Sequence, residues 1–112
     1  MSEMVKKARK YEMEESMKIA KDNRPVYHFS NPVGWMNDPN GFSDYKGEHH
    51  LFFQYYPYAT HWDSMHWGHA KSTDFIKWEY LPTALAPDQD YDNSGVFSGS
   101  AIEDGEKQIL IY

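Results

Sequence analysis

The chain has 112 residues, no cysteine, 17% aromatic residues and a formal net charge of −6. That length holds at most one ordinary domain, and without cysteine neither a disulfide framework nor thiolate ligation of a metal is available. Residues 1–24 carry seven Lys/Arg and five Asp/Glu, which leaves residues 25–112 at net −8; such a field repels phosphate backbones and anionic lipid and argues against nucleic-acid and membrane partners.

The first element is a helix. From Ser2 to about Lys21 the residues are strong helix formers with Val5, Ala8, Met13, Met17 and Ala20 interspersed, and Ser2 is placed to cap the start. Glu14 and Lys18 stand in the favourable i,i+4 order, and Asp22, Asn23, Arg24 and Pro25 end the segment. Its mixed charge reads as a leader, residues 1–24, that packs on the body of its own protein rather than on a membrane or a partner. No apolar run has signal-peptide length and none approaches the roughly 20 apolar residues of a membrane-spanning helix, so a soluble cytoplasmic protein is the expectation.

After Pro25 short apolar and aromatic runs alternate with turn residues, the pattern of an all-β protein. The predicted strands are Tyr27–Phe29, Gly41–Tyr45, His49–Tyr56, His66–Ser72, Trp78–Tyr80, Val96–Ile102 and Gln108–Tyr112. Tyr45-Lys46-Gly47-Glu48 and Glu103-Asp104-Gly105-Glu106 are predicted hairpin turns, because glycine supplies the positive φ that tight connections between twisted strands need. Strands up to about Tyr80, a loop rich in Pro and Asp (Pro82, Pro87, Asp88, Asp90, Asp92) and a fresh hairpin match one propeller blade and part of the next.

Within this frame Asn37-Asp38-Pro39-Asn40-Gly41 suits a type I turn, with Asp, Pro, Asn and Gly at successive positions. A turn alone does not explain the company it keeps: Trp35 before it, then Gln54, Trp62, Trp67, Phe97 and Ser98, in a chain poor in long aliphatics. A sugar ring offers apolar C–H faces to aromatics and hydroxyls to Asn, Asp, Gln and Ser, so this mixture complements a carbohydrate. Trp67 and Trp78 read rather as core. His66 and His69, three apart on a strand, point to opposite faces, and with no carboxylate or Cys at zinc-like spacing beside the histidines, no metal and no cofactor is expected.

The run His28-Phe29-Ser30-Asn31-Pro32-Val33-Gly34-Trp35-Met36-Asn37-Asp38-Pro39-Asn40-Gly41-Phe42 resembles the opening motif of glycoside hydrolase family 32. Leu51-Phe52-Phe53-Gln54-Tyr55, then His66-Trp67-Gly68-His69-Ala70 with Trp78 and Leu81-Pro82, then Phe97-Ser98-Gly99-Ser100-Ala101 follow in the family's order. The resemblance runs from about Tyr27 to Tyr112 and is nearest to the bacterial sucrose-6-phosphate hydrolases. It implies an all-β fold: the first blade and part of the second blade of a five-bladed β-propeller in residues 25–112, preceded by the N-terminal α-helix.

For chemistry the resemblance implies that Asp38 is the nucleophile of a retaining hydrolysis of a terminal β-D-fructofuranoside, forming a fructosyl-enzyme. It assigns Asn37, Gln54, Trp62, Phe97 and Ser98 to fructose binding, with Trp35 and Met36 flanking the site. The substrate expected is a small sugar: sucrose, sucrose 6-phosphate or a short fructan. The family's acid/base Glu is expected beyond residue 112 and its Arg-Asp-Pro motif is missing, since the arginines here are Arg9 and Arg24. The chain is therefore expected to be inactive alone, with a non-catalytic carbohydrate-binding or interaction module as the competing reading. Two departures bear on substrate preference: Tyr56 precedes Pro57 where the family usually has Asn, and Asp63 stands where Gly is common.

Overall fold

A computed structural model describes all 112 residues. A helix α1 (Glu3–Ser16) and a 3-10 turn at Lys21–Asn23 lead into six strands: β1 (Trp35–Tyr45), β2 (Glu48–Tyr56), β3 (His66–Ser72), β4 (Glu79–Leu85), β5 (Ser100–Asp104) and β6 (Lys107–Ile111). The first four form one antiparallel sheet in chain order, and β5 pairs with β6 in a separate hairpin. No helix is long and apolar enough to cross a membrane.

Ser2 caps α1, its Oγ accepting from the Val5 N–H at 3.2 Å. The helix stops at Ser16, short of the expected Lys21, and Lys18 and Ile19 donate instead to the carbonyls three residues back, Glu15 and Ser16. Met17 and Ile19 are exposed; with no sheet beneath it, a last turn lacks the tertiary packing that sustains helices in proteins. The expected Glu14–Lys18 pair is not made: Lys18 pairs with Glu15, and Glu14 faces Lys10 at 3.9 Å.

Val5, Ala8 and Glu12 form the buried stripe of α1. Thr83 of β4 donates from its backbone N–H and from Oγ1 to Glu12 Oε2, at 3.1 and 2.6 Å, and Arg9 Nε donates to the Thr83 carbonyl at 2.9 Å. The helix thus satisfies groups on an outer strand that would otherwise offer its edge to other chains. Burial holds the Glu12 carboxyl above its ordinary range, against the lowering effect of the Thr83 hydrogen bonds.

The sheet buries both faces. On one, Phe52 and Trp67 pack with Val96 and Ala101, bringing the β5–β6 hairpin over the sheet. On the other, Val33, Phe53 and Tyr55 pack with Tyr11, Phe29, Met36 and Leu51. At Gly68 the Phe53 ring comes within 2.2 Å of where a Cβ would stand, so the packing of Phe53 over β3 depends on a missing side chain.

Both hairpins form, the first with its turn where expected and the second closing at Asp104–Lys107, one residue later than Glu103–Glu106. Lys46 and Gly47 have φ of 49° and 79°, the pattern of a type I′ turn; in the second hairpin Gly105 has φ 58° at the first central position, as in type II′. Several expected boundaries move. Tyr27–Phe29 is not a strand: Val26 and Tyr27 are exposed, and Phe29 anchors the segment against Phe53, Trp78 and Tyr80. β4 runs past Tyr80 through Pro82 to Leu85, which an outer strand tolerates because the missing N–H is not needed by a neighbour. Residues 96–99 precede β5 as a strap, and β1 begins at Trp35, so Asp38-Pro39-Asn40-Gly41 lies within a strand and not in a type I turn.

Candidate functional site

Two irregularities shape β1. Met36 pairs with Tyr55 and Pro39 with Phe53, so Asn37 and Asp38 together oppose Gln54; Asn40 pairs with Phe52 and Ser43 with His50, so Gly41 and Phe42 together oppose Leu51. These are β-bulges, in which an extra residue breaks the alternation of side chains and re-aims them. The Pro at position 39 suits the first, since it has no N–H to give the ladder. Gly41, with φ +51° and a Cβ position 2.8 Å from the Phe52 ring, suits the second.

Around the first bulge local polar contacts are joined by one long-range bond. Trp35 Nε1 donates to Asn37 Oδ1 at 2.9 Å, tying the indole to the residue before Asp38. Asp38 itself is exposed. Asn40 is buried, with Nδ2 donating to the Asp38 carbonyl at 3.4 Å and Oδ1 accepting from the Gly99 N–H at 3.3 Å.

Residues 96–99 are stitched across the sheet. Gln54 Nε2 donates to the Val96 carbonyl and Trp67 Nε1 to the Phe97 carbonyl, both at 3.0 Å, while the Gly41 N–H donates to the Gly99 carbonyl at 3.1 Å. With its backbone spent on these bonds, the strap leaves the Phe97 and Ser98 side chains exposed. Trp62, 53% exposed, sits in the loop between β2 and β3, and antiparallel pairing puts that loop at the end of the sheet where β1 starts.

Trp35, Asn37 and Asp38 thus lie on β1, and Phe97 and Ser98 on the strap that Asn40 and Gly41 bond through Gly99, with Trp62 on the loop at the same end of the sheet. Gln54 faces the bulge but is buried and holds Val96. Met36 turns to the opposite face, against Val33, Phe53 and Tyr55, and so supports the strand from behind. Asn40 is the residue that sequence reasoning passed over. Its type invites a turn reading, and only the long-range bond to Gly99 shows that it joins the Asp38 backbone to the strap.

The histidines separate as the strand period requires. His66 lies opposite Tyr55 and His69 opposite Phe52, on different faces. His69 instead meets His50, Nε2 to Nδ1 at 2.9 Å, and burial, aided by His50, lowers the His69 pKa to about 4. No three His, Asp or Glu side chains converge as a metal site.

The profile of the Glycosyl hydrolases family 32 N-terminal domain matches residues 28–112. The sucrose-6-phosphate hydrolase of Zymomonas mobilis is 54% identical over 88 residues, 79% of this chain and 17% of that protein. The levanase of Bacillus subtilis is 55% identical over 83 residues, 74% of this chain and 12% of that protein. Among solved structures, the Bombyx mori GH32 beta-fructofuranosidase BmSUC1 aligns with a TM-score of 0.85 at 48% identity, covering 96% of this chain and 22% of that one; a mutant of it is known in complex with sucrose. The chain thus spans less than a fifth of the length of these two curated relatives.

Proposed function

The chain belongs to glycoside hydrolase family 32, and from that premise we propose that it carries the nucleophile-bearing part of an enzyme that hydrolyses the terminal β-D-fructofuranoside bond of sucrose or sucrose 6-phosphate. The observation that carries the reading is the bulge at Asn37–Asp38. Asp38 is exposed there, next in sequence to Asn37, which accepts from the Trp35 indole, on a strand whose Asn40 and Gly41 bond to Gly99 of the strap that carries Phe97 and Ser98.

In this reading the ring faces of Trp62 and Phe97 stack on the furanose, and Asn37 and Ser98 exchange hydrogen bonds with its hydroxyls. One carboxylate oxygen of Asp38 attacks the anomeric carbon as the bond to the leaving-group oxygen breaks. A second carboxyl group, roughly 5–5.5 Å away, gives that oxygen its proton. The same group then takes a proton from the water that releases fructose, so configuration is retained. That acid/base lies outside these 112 residues, in a five-bladed propeller of which β1–β4 form the first blade and β5–β6 the start of the second, and the chain by itself supplies half of the catalytic pair. The relatives named as sucrose-6-phosphate hydrolase and levanase support a fructosyl substrate.

Asp38→Asn tests the reading, because an amide neither stabilises the oxocarbenium-like transition state by charge nor forms the ester. Fructose release by the enzyme is expected to fall by roughly three orders of magnitude or more, equivalent to about 4 kcal/mol of transition-state stabilisation. Turnover within a fewfold of wild type would remove Asp38 from the nucleophile's role.

A further inference from the structure

The match to the family profile begins at residue 28, so α1 lies outside it, yet α1 reaches the loop that carries Trp62. Residues 57–65 connect β2 to β3, far longer than the two-residue hairpin turns, and a connection of that length has no register to hold its apex. Its base is fixed: Pro57 and Met65 are fully buried. Between base and apex, Tyr58 is the ring that meets the leader, while His61 packs on Tyr56 of β2 at 6.0 Å. Tyr11 of α1 meets the Tyr58 ring edge-on at 5.0 Å, Lys7 Nζ stands over the same ring at 5.2 Å, and His66 and Tyr56 close on it at 5.7 and 5.5 Å. Beside this contact runs a groove of about 380 Å³ lined by Tyr11, Glu15 and Ile19 of the leader and by Pro57 to His61 of the loop.

We propose that α1 is the positioning element for Trp62: Tyr11 and Lys7 clamp Tyr58, and the clamp sets where the indole four residues on is held. An aromatic edge contact and a cation over a ring are each modest but directional, and the loop has no repeated backbone pairing to replace them. The consequence for sugar affinity rests on the reading of Trp62 as a fructose contact given above. If only the clamped loop conformer binds, apparent affinity falls in proportion to the fraction of loops so held. Loss of Tyr11 then raises KM and leaves the Asp38 chemistry, and with it kcat, in place.

The test uses 5-fluorotryptophan in place of the four tryptophans, with the Trp62 resonance assigned by its loss in Trp62→Phe. In Tyr11→Ala the Trp62 resonance is expected to sharpen and move toward that of free tryptophan while those of Trp35 and Trp67 stay put, which shows an intact fold. In the enzyme, KM for sucrose is expected to rise about tenfold with kcat within about twofold; Tyr11→Phe, which keeps the ring edge, restores KM and the Trp62 resonance. Where Tyr11→Ala disturbs the Trp35 and Trp67 resonances as well, Lys7→Met is read in its place. An unmoved Trp62 resonance in the folded variant overturns the proposal. The reading of the sugar site is separately exposed: should Trp62→Ala leave KM unchanged, Trp62 does not bind fructose, and a moved resonance in Tyr11→Ala still supports the clamp.

Discussion

Gly34 and Gly47 both adopt left-handed backbone, with φ of +69° and +79°, but only one of them has a neighbour where a side chain would go. A Cβ on Gly47 meets nothing within 4 Å, whereas on Gly34 it would stand 2.1 Å from the Tyr56 carbonyl oxygen and 2.8 Å from that of Pro57. Gly47→Ala therefore loses the left-handed penalty alone, about 1–2 kcal/mol. Gly34→Ala loses the same and must also part the chain ends by roughly 1 Å, since backbone cannot rotate aside like a side chain. That movement breaks the pairing of Trp35 with Tyr56 and Met36 with Tyr55, where each hydrogen bond is worth about 0.5–1.5 kcal/mol. A total of about 3–4 kcal/mol follows for Gly34→Ala. Urea denaturation followed by circular dichroism measures both variants, and fructose release by the enzyme reads whether Trp35 and Asn37 still hold the strand before Asp38. Gly47→Ala keeps activity and Gly34→Ala loses it. Equal stability losses, within about 0.5 kcal/mol, would show that the close approach of Gly34 to Tyr56 is not what its position demands.

Two further outcomes follow from the core. Burial and the neighbouring His50 lower the His69 pKa from 6.5 to about 4, so between those values the unfolded chain binds a proton that the folded pair refuses. Stability is expected to fall as pH drops through that window, by at most about 3 kcal/mol, and His69→Gln should flatten the dependence of the urea midpoint on pH; parallel profiles would refute the assignment. Gln54→Leu leaves the Val96 carbonyl without its donor, a loss of about 1–3 kcal/mol. Amide exchange at Gly41, whose N–H is bonded to the Gly99 carbonyl, should quicken about tenfold or more as the strap loosens; an unchanged rate would mean that the strap is held without Gln54.

The local turns were legible because their determinants are local. Gly47 and Gly105 occupy positive-φ positions that residue type alone indicates, and the run from His66 to Ser72 ends where expected. Asp38-Pro39-Asn40-Gly41 misled for the same reason: each residue has a turn preference, and pairing with β2 overrides it by accommodating the extra residues as bulges. The end of α1 was misplaced because propensity continues past Ser16 while the sheet beneath it does not. Nothing in the sequence marks the bond of Asn40 to Gly99, 59 residues away, or the meeting of His50 with His69.

What residue order decided was the chemistry on offer: a carboxylate at position 38, flanked by an amide, indoles, a phenyl ring and a hydroxyl, in a block order that names the family. Direction came from packing. A side chain on a strand points to one of two faces, and a single extra residue changes which; whether Asp38 opens toward Phe97 and Ser98 depends on the register against Gln54 and on the strap those buried amides hold. Register is a property of two strands together, so it exists only once they pair.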